Sequence, residues 1–174
     1  MRGGCAVSEV VALSPEGQPT IVRRYADLVS EGARRTPERI ATVGNGRRLT
    51  FAEIDDRVGR LGAALRARGV KPGDRVALLA QNELEYLEIQ AACVRSGFTL
   101  VPLNWRLAVP ELEYIVGDCT PTVVIAGRGE EERVVRIAAA GSPRLVGLGE
   151  PGQVEAYDAL LASAEADPEA DPLD

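Results

Sequence analysis

The sequence predicts an α/β fold with a mainly parallel sheet flanked by helices and a small antiparallel hairpin near the N-terminus. Three observations predict it. Short apolar runs at 76–80, 98–101, 122–126 and 144–148 read as strands, the first continuous enough to be buried on both faces of a parallel sheet. Between them lie stretches with apolar residues at helical spacing, which gives the strand and helix alternation of a parallel layer with right-handed crossovers. Gly44-Asn45-Gly46 separates two further short runs, and Asn-Gly supplies the positive φ angles of a tight hairpin turn.

In chain order, residues 1–19 mix Gly, Ser and Pro with a short apolar patch at 10–13 and are expected to be loosely held. Thr20 is a candidate cap for a helix in which Ile21, Tyr25, Leu28 and Val29 share a face before Thr36-Pro37 closes it. The hairpin follows over 40–50 and is expected at a sheet edge. Thr50-Phe51-Ala52-Glu53 is a capping box, in which hydroxyl and carboxylate satisfy each other's backbone donors. Phe51, Ile54, Val58, Leu61 and Leu65 form the apolar stripe of that helix. Its other face, with Asp55, Asp56, Arg57, Arg60, Arg66 and Arg68, is expected to be solvated.

Gly69 ends this helix, and Lys71-Pro72-Gly73-Asp74 turns the chain into the strand at 76–80. Asn82 is placed as the N-cap of the next helix, with Leu84, Leu87, Ala91 and Val94 facing inward. The stretch 91–107, AACVRSGFTLVPLNWRL, is the centre of the organisation. Gly97 can close the helix in the left-handed conformation, a strand follows over 98–101, and Pro102, lacking an N–H, is expected to take the chain out of the sheet. Asn104, Trp105 and Arg106 then stand at a strand's carboxyl end, where open α/β proteins bind ligands. Pro110 suits the first turn of a helix, with Glu111 and Glu113 near the positive end of its dipole. A strand at 122–126, a helix over 130–140, a strand at 144–148 and a short helix over 155–164 complete the domain. Residues 165–174 are acidic, hold two prolines and are expected to form a linker or disordered tail.

Composition sets limits. The 174 residues match one domain, long enough to bury about 70% of the unfolded surface. The net charge is −6, but five acids and no base lie in 165–174, leaving twenty basic against twenty-one acidic residues over the rest. No nucleic-acid footprint results. Nineteen of the basic residues are arginine, Lys71 is the sole lysine, and histidine is absent, so no Ser-His-Asp or Cys-His nucleophile can be assembled. Cys5, Cys93 and Cys119 share no ligand spacing and read as reduced thiols. No run approaches membrane-spanning length, and a cytoplasmic location is the expectation.

Gly147-Leu148-Gly149-Glu150-Pro151-Gly152 fits the dinucleotide pattern. Pro151 and Glu150 nonetheless disrupt the helix opening and place negative charge where a pyrophosphate would lie, so a plain turn is the better reading. Arg106 is the candidate binding residue. Its guanidinium offers a planar fork suited to phosphate, with a surface salt bridge as the plainer alternative. Trp105, in the same loop, suits either a contact surface or packing against another domain.

Three segments carry a resemblance. Gly97 to Leu107, GFTLVPLNWRL, resembles the G-x-x-x-V-P-L-N-x-R-L segment of the acyl-CoA synthetase branch of AMP-binding, adenylate-forming enzymes. Arg48 to Asp56, RLTFAEIDD, and Gly69 to Leu79, GVKPGDRVALL, resemble two further segments of that family in the right order and spacing. The likeness spans roughly 20–165 and marks residues 20–164 as a partial AMP-binding N-terminal domain. It implies a ligase that uses ATP and Mg²⁺ to convert a carboxylic acid to an acyl-adenylate and then transfers the acyl group to CoA. For Arg106 it implies a place near the nucleotide phosphates of CoA.

The family's Ser/Thr/Gly-rich phosphate loop and catalytic lysine have no counterpart in the chain, so it is expected to be inactive alone and to partner the remainder of a synthetase. Self-association is also possible for a half-lobe with an uncovered apolar edge. Two alternatives remain. One is a stand-alone interaction module; the other is part of an amino-acid-activating domain, against which Val101-Pro102-Leu103-Asn104-Trp105-Arg106 argues, because that branch usually has Leu-Asp-Pro.

Overall fold

The computed structural model describes residues 10–13, 19–22, 25–138, 143–149 and 152–166. Two strands, β1 (Val10–Leu13) and β2 (Pro19–Val22), pair antiparallel ahead of α1 (Tyr25–Arg35). This corrects two expectations. The apolar patch at 10–13 is a strand, and Thr20 and Ile21 pair with it rather than opening a helix. Thr and Ile are residue types enriched in strands, and helical spacing alone does not reveal the partner.

β3 (Ile40–Gly44) and β4 (Arg47–Thr50) form the expected hairpin, with φ of 51° at Asn45 and 72° at Gly46. It is a separate two-stranded sheet, not an edge of the main one. Next comes α2 (Phe51–Ala67), whose capping box forms as read: the Glu53 N–H donates to Thr50 Oγ1 at 3.2 Å and the Thr50 N–H to Glu53 Oε2 at 2.7 Å. Thr50→Ala removes one acceptor from the helix start. The expected loss is about 1 kcal/mol of unfolding free energy, read from urea denaturation.

The main sheet holds β5 (Arg75–Leu79), β6 (Thr99–Leu103), β7 (Val123–Ala126), β8 (Arg144–Gly147) and β9 (Glu155–Ala156), all parallel, in the order β6-β5-β7-β8-β9. The connecting helices are α3 (Glu85–Arg95), α4 (Val109–Cys119) and α5 (Glu131–Ile137), and α6 (Tyr157–Ala162) follows β9. Alternate strand residues serve two cores. Val76, Leu78, Val123, Ile125 and Val146 pack with Ile54, Val58, Leu61, Leu65 and Ile89 of α2 and α3 and with Leu160 of α6. Ala77, Leu79, Val124 and Ala126 pack on the other face with Leu112, Val116, Val134 and Ile137 of α4 and α5. The result is three layers, with the central strands buried on both faces as the apolar runs imply.

Four further details depart from the sequence reading. β6 runs through Pro102, which stands opposite Leu78, instead of ending at Val101. It can do so because β6 is an edge strand and the missing N–H breaks no ladder on its open side. Asn82 does not cap α3, which begins three residues later with Leu84 at its N-cap. The last helix is preceded by β9, two residues long, and α5 ends at Ile137.

The polar face of α2 is not simply solvated. Arg57 holds buried Glu88 with bonds of 2.6 and 2.9 Å, Arg66 donates to Ser96 Oγ at 2.9 Å, Arg68 grips Glu155 of β9, and Asp55 accepts from Arg95. Gly97 closes α3 with φ of 70°, as expected. The helix expected to reach Ala140 and the tail beyond residue 166 lie outside the described residues in their last parts. Among the described residues no helix is long and apolar enough to cross a membrane.

Candidate binding crevice at the carboxyl ends of the strands

The chain passes from β5 to β6 on one side of the sheet, then returns across β5 to β7 and continues to β8. Neighbouring strands whose connections leave in opposite directions open a crevice beyond their carboxyl ends, and in this order the crevice lies between β5 and β7. Gly127, the residue after β7, comes close to the end of β5: its N–H donates to Leu79 O at 2.8 Å, and a Cβ there would lie 2.8 Å from Ala80 Cα. Only glycine allows this approach.

A charged network fills the crevice mouth. The Arg128 backbone N–H donates to Glu83 Oε1 at 2.8 Å, and its guanidinium bonds Glu83 and, at 2.7 and 3.0 Å, both oxygens of Glu85. Arg47 of the hairpin reaches Glu85 at 3.3 Å. Burial pushes the Glu85 carboxyl up, but the Arg128 hydrogen bond, with the charges of Arg128 and Arg47, outweighs it and the net displacement is downward. Arg128 is raised in turn, chiefly by its bond to Glu85.

One turn along α3, Glu88 is 1% exposed and held by Arg57. Beside it lies Tyr157, the first residue of α6, with Arg57 5.9 Å from its ring centre. Burial, with the carboxylate of Glu88 nearby, raises the Tyr157 phenol well above its usual value.

The loop after β6 stands apart. Asn104 Oδ1 accepts the Arg106 N–H at 3.0 Å, the Arg106 guanidinium stacks 4.6 Å from the Trp105 ring centre, and Arg133 of α5 donates to Trp105 O at 2.9 Å and Leu107 O at 2.5 Å. Arg106 is exposed and Trp105 half-buried against the α4–α5 core. Arg106 therefore stands at a strand's carboxyl end as expected, in no ion pair or hydrogen bond with the Arg128 network among the described residues.

The sequence reading passed over Glu83, Glu85, Glu88 and Arg128. One signal was available: Glu85, Glu88, Ala92 and Arg95 recur at helical spacing beside the leucine stripe, and all four are buried. The Gly147–Leu148–Gly149 segment ends β8 and leads to β9, not to the helix a dinucleotide site needs. A Cβ at Gly149 would meet Glu131 Oε1, so a carboxylate already occupies the ground a phosphate would take. Among the described residues no group of three His, Cys, Asp or Glu could hold a metal ion. With Glu83, Glu85 and Glu131 at the strand ends, these residues do not by themselves form a cradle for a nucleotide polyphosphate and its Mg²⁺.

The order, layering and crevice define an open, doubly wound α/β unit. The chain belongs to the AMP-binding enzyme family, whose sequence pattern matches residues 29–173. It is 46% identical over 107 residues to a feruloyl-CoA synthase of an Amycolatopsis species, covering 62% of this chain and 22% of that protein. It is 36% identical over 118 residues to the fatty acid–[acyl-carrier-protein] ligase ScoC of Streptomyces coeruleorubidus, covering 68% and 23%. Its fold matches the N-terminal domain of FACL13 from Mycobacterium tuberculosis with a TM-score of 0.75 at 29% identity, over 87% of this chain and 39% of that one. The chain thus spans between a fifth and a quarter of the length of these curated relatives.

Proposed function

We propose that this chain is the N-terminal part of an ATP-dependent ligase that activates a carboxylic acid as its adenylate and passes the acyl group to the thiol of CoA. The observation that carries this reading is the 46% identity to feruloyl-CoA synthase. That stretch of likeness is scaffold, and the acid, ATP and Mg²⁺ would be held largely by polypeptide other than this chain. Residues 20–164 would form the partial AMP-binding unit, flanked by 1–19 and 165–174. What the chain itself contributes is the parallel sheet, the crevice at its carboxyl edge and the loop that presents Arg106.

ATP–pyrophosphate exchange tests the reading. The 174-residue chain with Mg²⁺ and a panel of aromatic and fatty acids is expected to give no exchange above blank. Sequence downstream of Asp174 is expected to hold a Ser/Thr/Gly-rich loop with lysine, and protein extended through it to catalyse exchange. Absence of both that loop and exchange would defeat the proposal and leave the interaction-module reading.

Arg106 is proposed to contact the nucleotide phosphates of CoA, supported by its exposure, its freedom from carboxylate partners among the described residues and its stack on Trp105. In the extended protein Arg106→Ala is expected to raise the KM for CoA about tenfold, the scale of one charge-assisted phosphate contact. An unchanged KM would remove the role. A second acceptor is possible because the relative ScoC is named for an acyl-carrier protein. Thioester formation with a carrier protein but not with CoA would decide for it.

A further inference from the structure

We propose that Arg133 is the positioning residue for Arg106: its guanidinium fixes the main chain on both sides of Arg106 and keeps that segment in place for the phosphates of CoA. The inference rests on the CoA role proposed for Arg106 and adds to that site a residue from a different element. Arg133 lies in the first turn of α5. Its Nη1 donates to Trp105 O at 2.9 Å and to Glu130 Oε2 at 2.7 Å, and its Nη2 donates to Leu107 O at 2.5 Å. One planar fork thereby takes the carbonyls of both neighbours of Arg106, a geometry that a point charge such as lysine does not match.

The rest of the segment is tied as well. Asn104 Oδ1 accepts the Arg106 N–H at 3.0 Å, and Asn104 O accepts the Leu107 N–H at 3.0 Å. Each residue from 104 to 107 therefore has a main-chain group bonded, although Asn104 and Arg106 are exposed. Carbonyls of a surface loop do not require protein partners, because water satisfies them at little cost. Trp105 and Leu107 already pack on the α4–α5 core. To that apolar anchorage Arg133 adds a restraint on the backbone, and it acts at the peptide units on either side of one residue.

Charge separates the two arginines. Arg133 is offset by Glu130, which is 9% exposed, so its cation is committed within the protein. Arg106 is exposed and has no carboxylate partner among the described residues. An anion that reaches this loop therefore meets Arg106 as the uncompensated cation. A side chain on an anchored backbone, its guanidinium already stacked 4.6 Å from the Trp105 ring centre, gives up less freedom on binding than one on a loose loop. Loss of the support is therefore felt in the binding of CoA and not in formation of the adenylate, which precedes it.

Trp105 is the sole tryptophan of the chain, so its fluorescence reports on this loop alone. In the folded 174-residue chain, Arg133→Ala is expected to shift the emission to the red and to increase quenching by acrylamide, while Arg136→Ala, exposed on the same helix, should change neither. Arg133→Lys keeps a charge for Glu130 but not the fork. It should show the same changes in smaller measure, and it serves where the alanine variant fails to fold. In protein extended through the phosphate loop, Arg133→Ala is expected to raise the KM for CoA a few-fold and to leave ATP–pyrophosphate exchange, which needs no CoA, at its native rate. A general loss of structure would impair both. The rise should vanish when Arg133→Ala is placed in an Arg106→Ala background, because the two side chains act as one unit. Native quenching in both Arg133 variants, or a rise in KM that persists without Arg106, would overturn the proposal. An unchanged KM for CoA in Arg106→Ala would overturn it by a different route, through the reading on which it rests, and raised quenching would then still mark Arg133 as the clamp of the loop.

Discussion

Arg57→Ala is expected to cost about 3–5 kcal/mol of folding free energy, the scale of removing one partner from a buried ion pair. Glu88 is 1% exposed and takes two bonds from Arg57, at 2.6 and 2.9 Å. Without the guanidinium the buried carboxylate loses both bonds and the cation that permits its burial. The loss is large beside the 5–15 kcal/mol that separates most native domains from their unfolded chains. Urea denaturation should show a lower midpoint with an unchanged slope.

Arg57→Met with Glu88→Leu discriminates between causes. An apolar pair of similar volume leaves no orphaned charge, so most of the loss should be recovered. If the double variant is as unstable as the single one, the pair matters for packing between α2 and α3 rather than for charge. That distinction bears on the site, because α3, which packs on α2, carries Glu85 to the end of the sheet, where Arg128 meets it.

Local chemistry made much of this fold legible. The Thr50 capping box, the Asn45-Gly46 turn and the Gly97 helix stop each depend on a few adjacent residues, and each is found where the sequence places it. Strand continuity was legible as well, since both faces of β5 and β7 are buried. What was not legible depends on partners distant in sequence. Pro102 can lie within β6 only because that strand is at the edge, a fact of strand order. β9 is two residues long and exists through its pairing with β8, so no periodicity announces it. Thr20 and Ile21 have strand partners eight and ten residues earlier, Ala12 and Val11, that helical spacing does not register.

The candidate site divides the same way. The loop with Arg106 was visible because Pro102 and Gly97 punctuate it, whereas the crevice network was not. Glu85 and Arg128 are 43 residues apart, and nothing local indicates that an arginine after one strand will neutralise a glutamate at the start of a helix after another. Buried carboxylates of this kind read as surface charge until the cation that permits their burial has been placed.

Gly127→Ala is the second large expected effect, a loss of about 1–3 kcal/mol from overpacking. A Cβ at this position would lie 2.8 Å from both the Cα and the Cβ of Ala80 and would run into Glu83 Oε1. The glutamate can swing away, at the cost of its bonds to Arg128; the Ala80 backbone cannot, because β5 is locked between β6 and β7. The ends of β5 and β7 must separate, and the bond from the Gly127 N–H to Leu79 O, 2.8 Å long, lengthens with them. Placing the substitution in a Glu83→Ala background sorts these contributions. There the carboxylate clash is gone and the backbone clash remains, so the further loss caused by Gly127→Ala should shrink but persist. Complete disappearance of that loss would mean that the strand ends are not in tight contact and that the crevice between β5 and β7 is held open by charge alone.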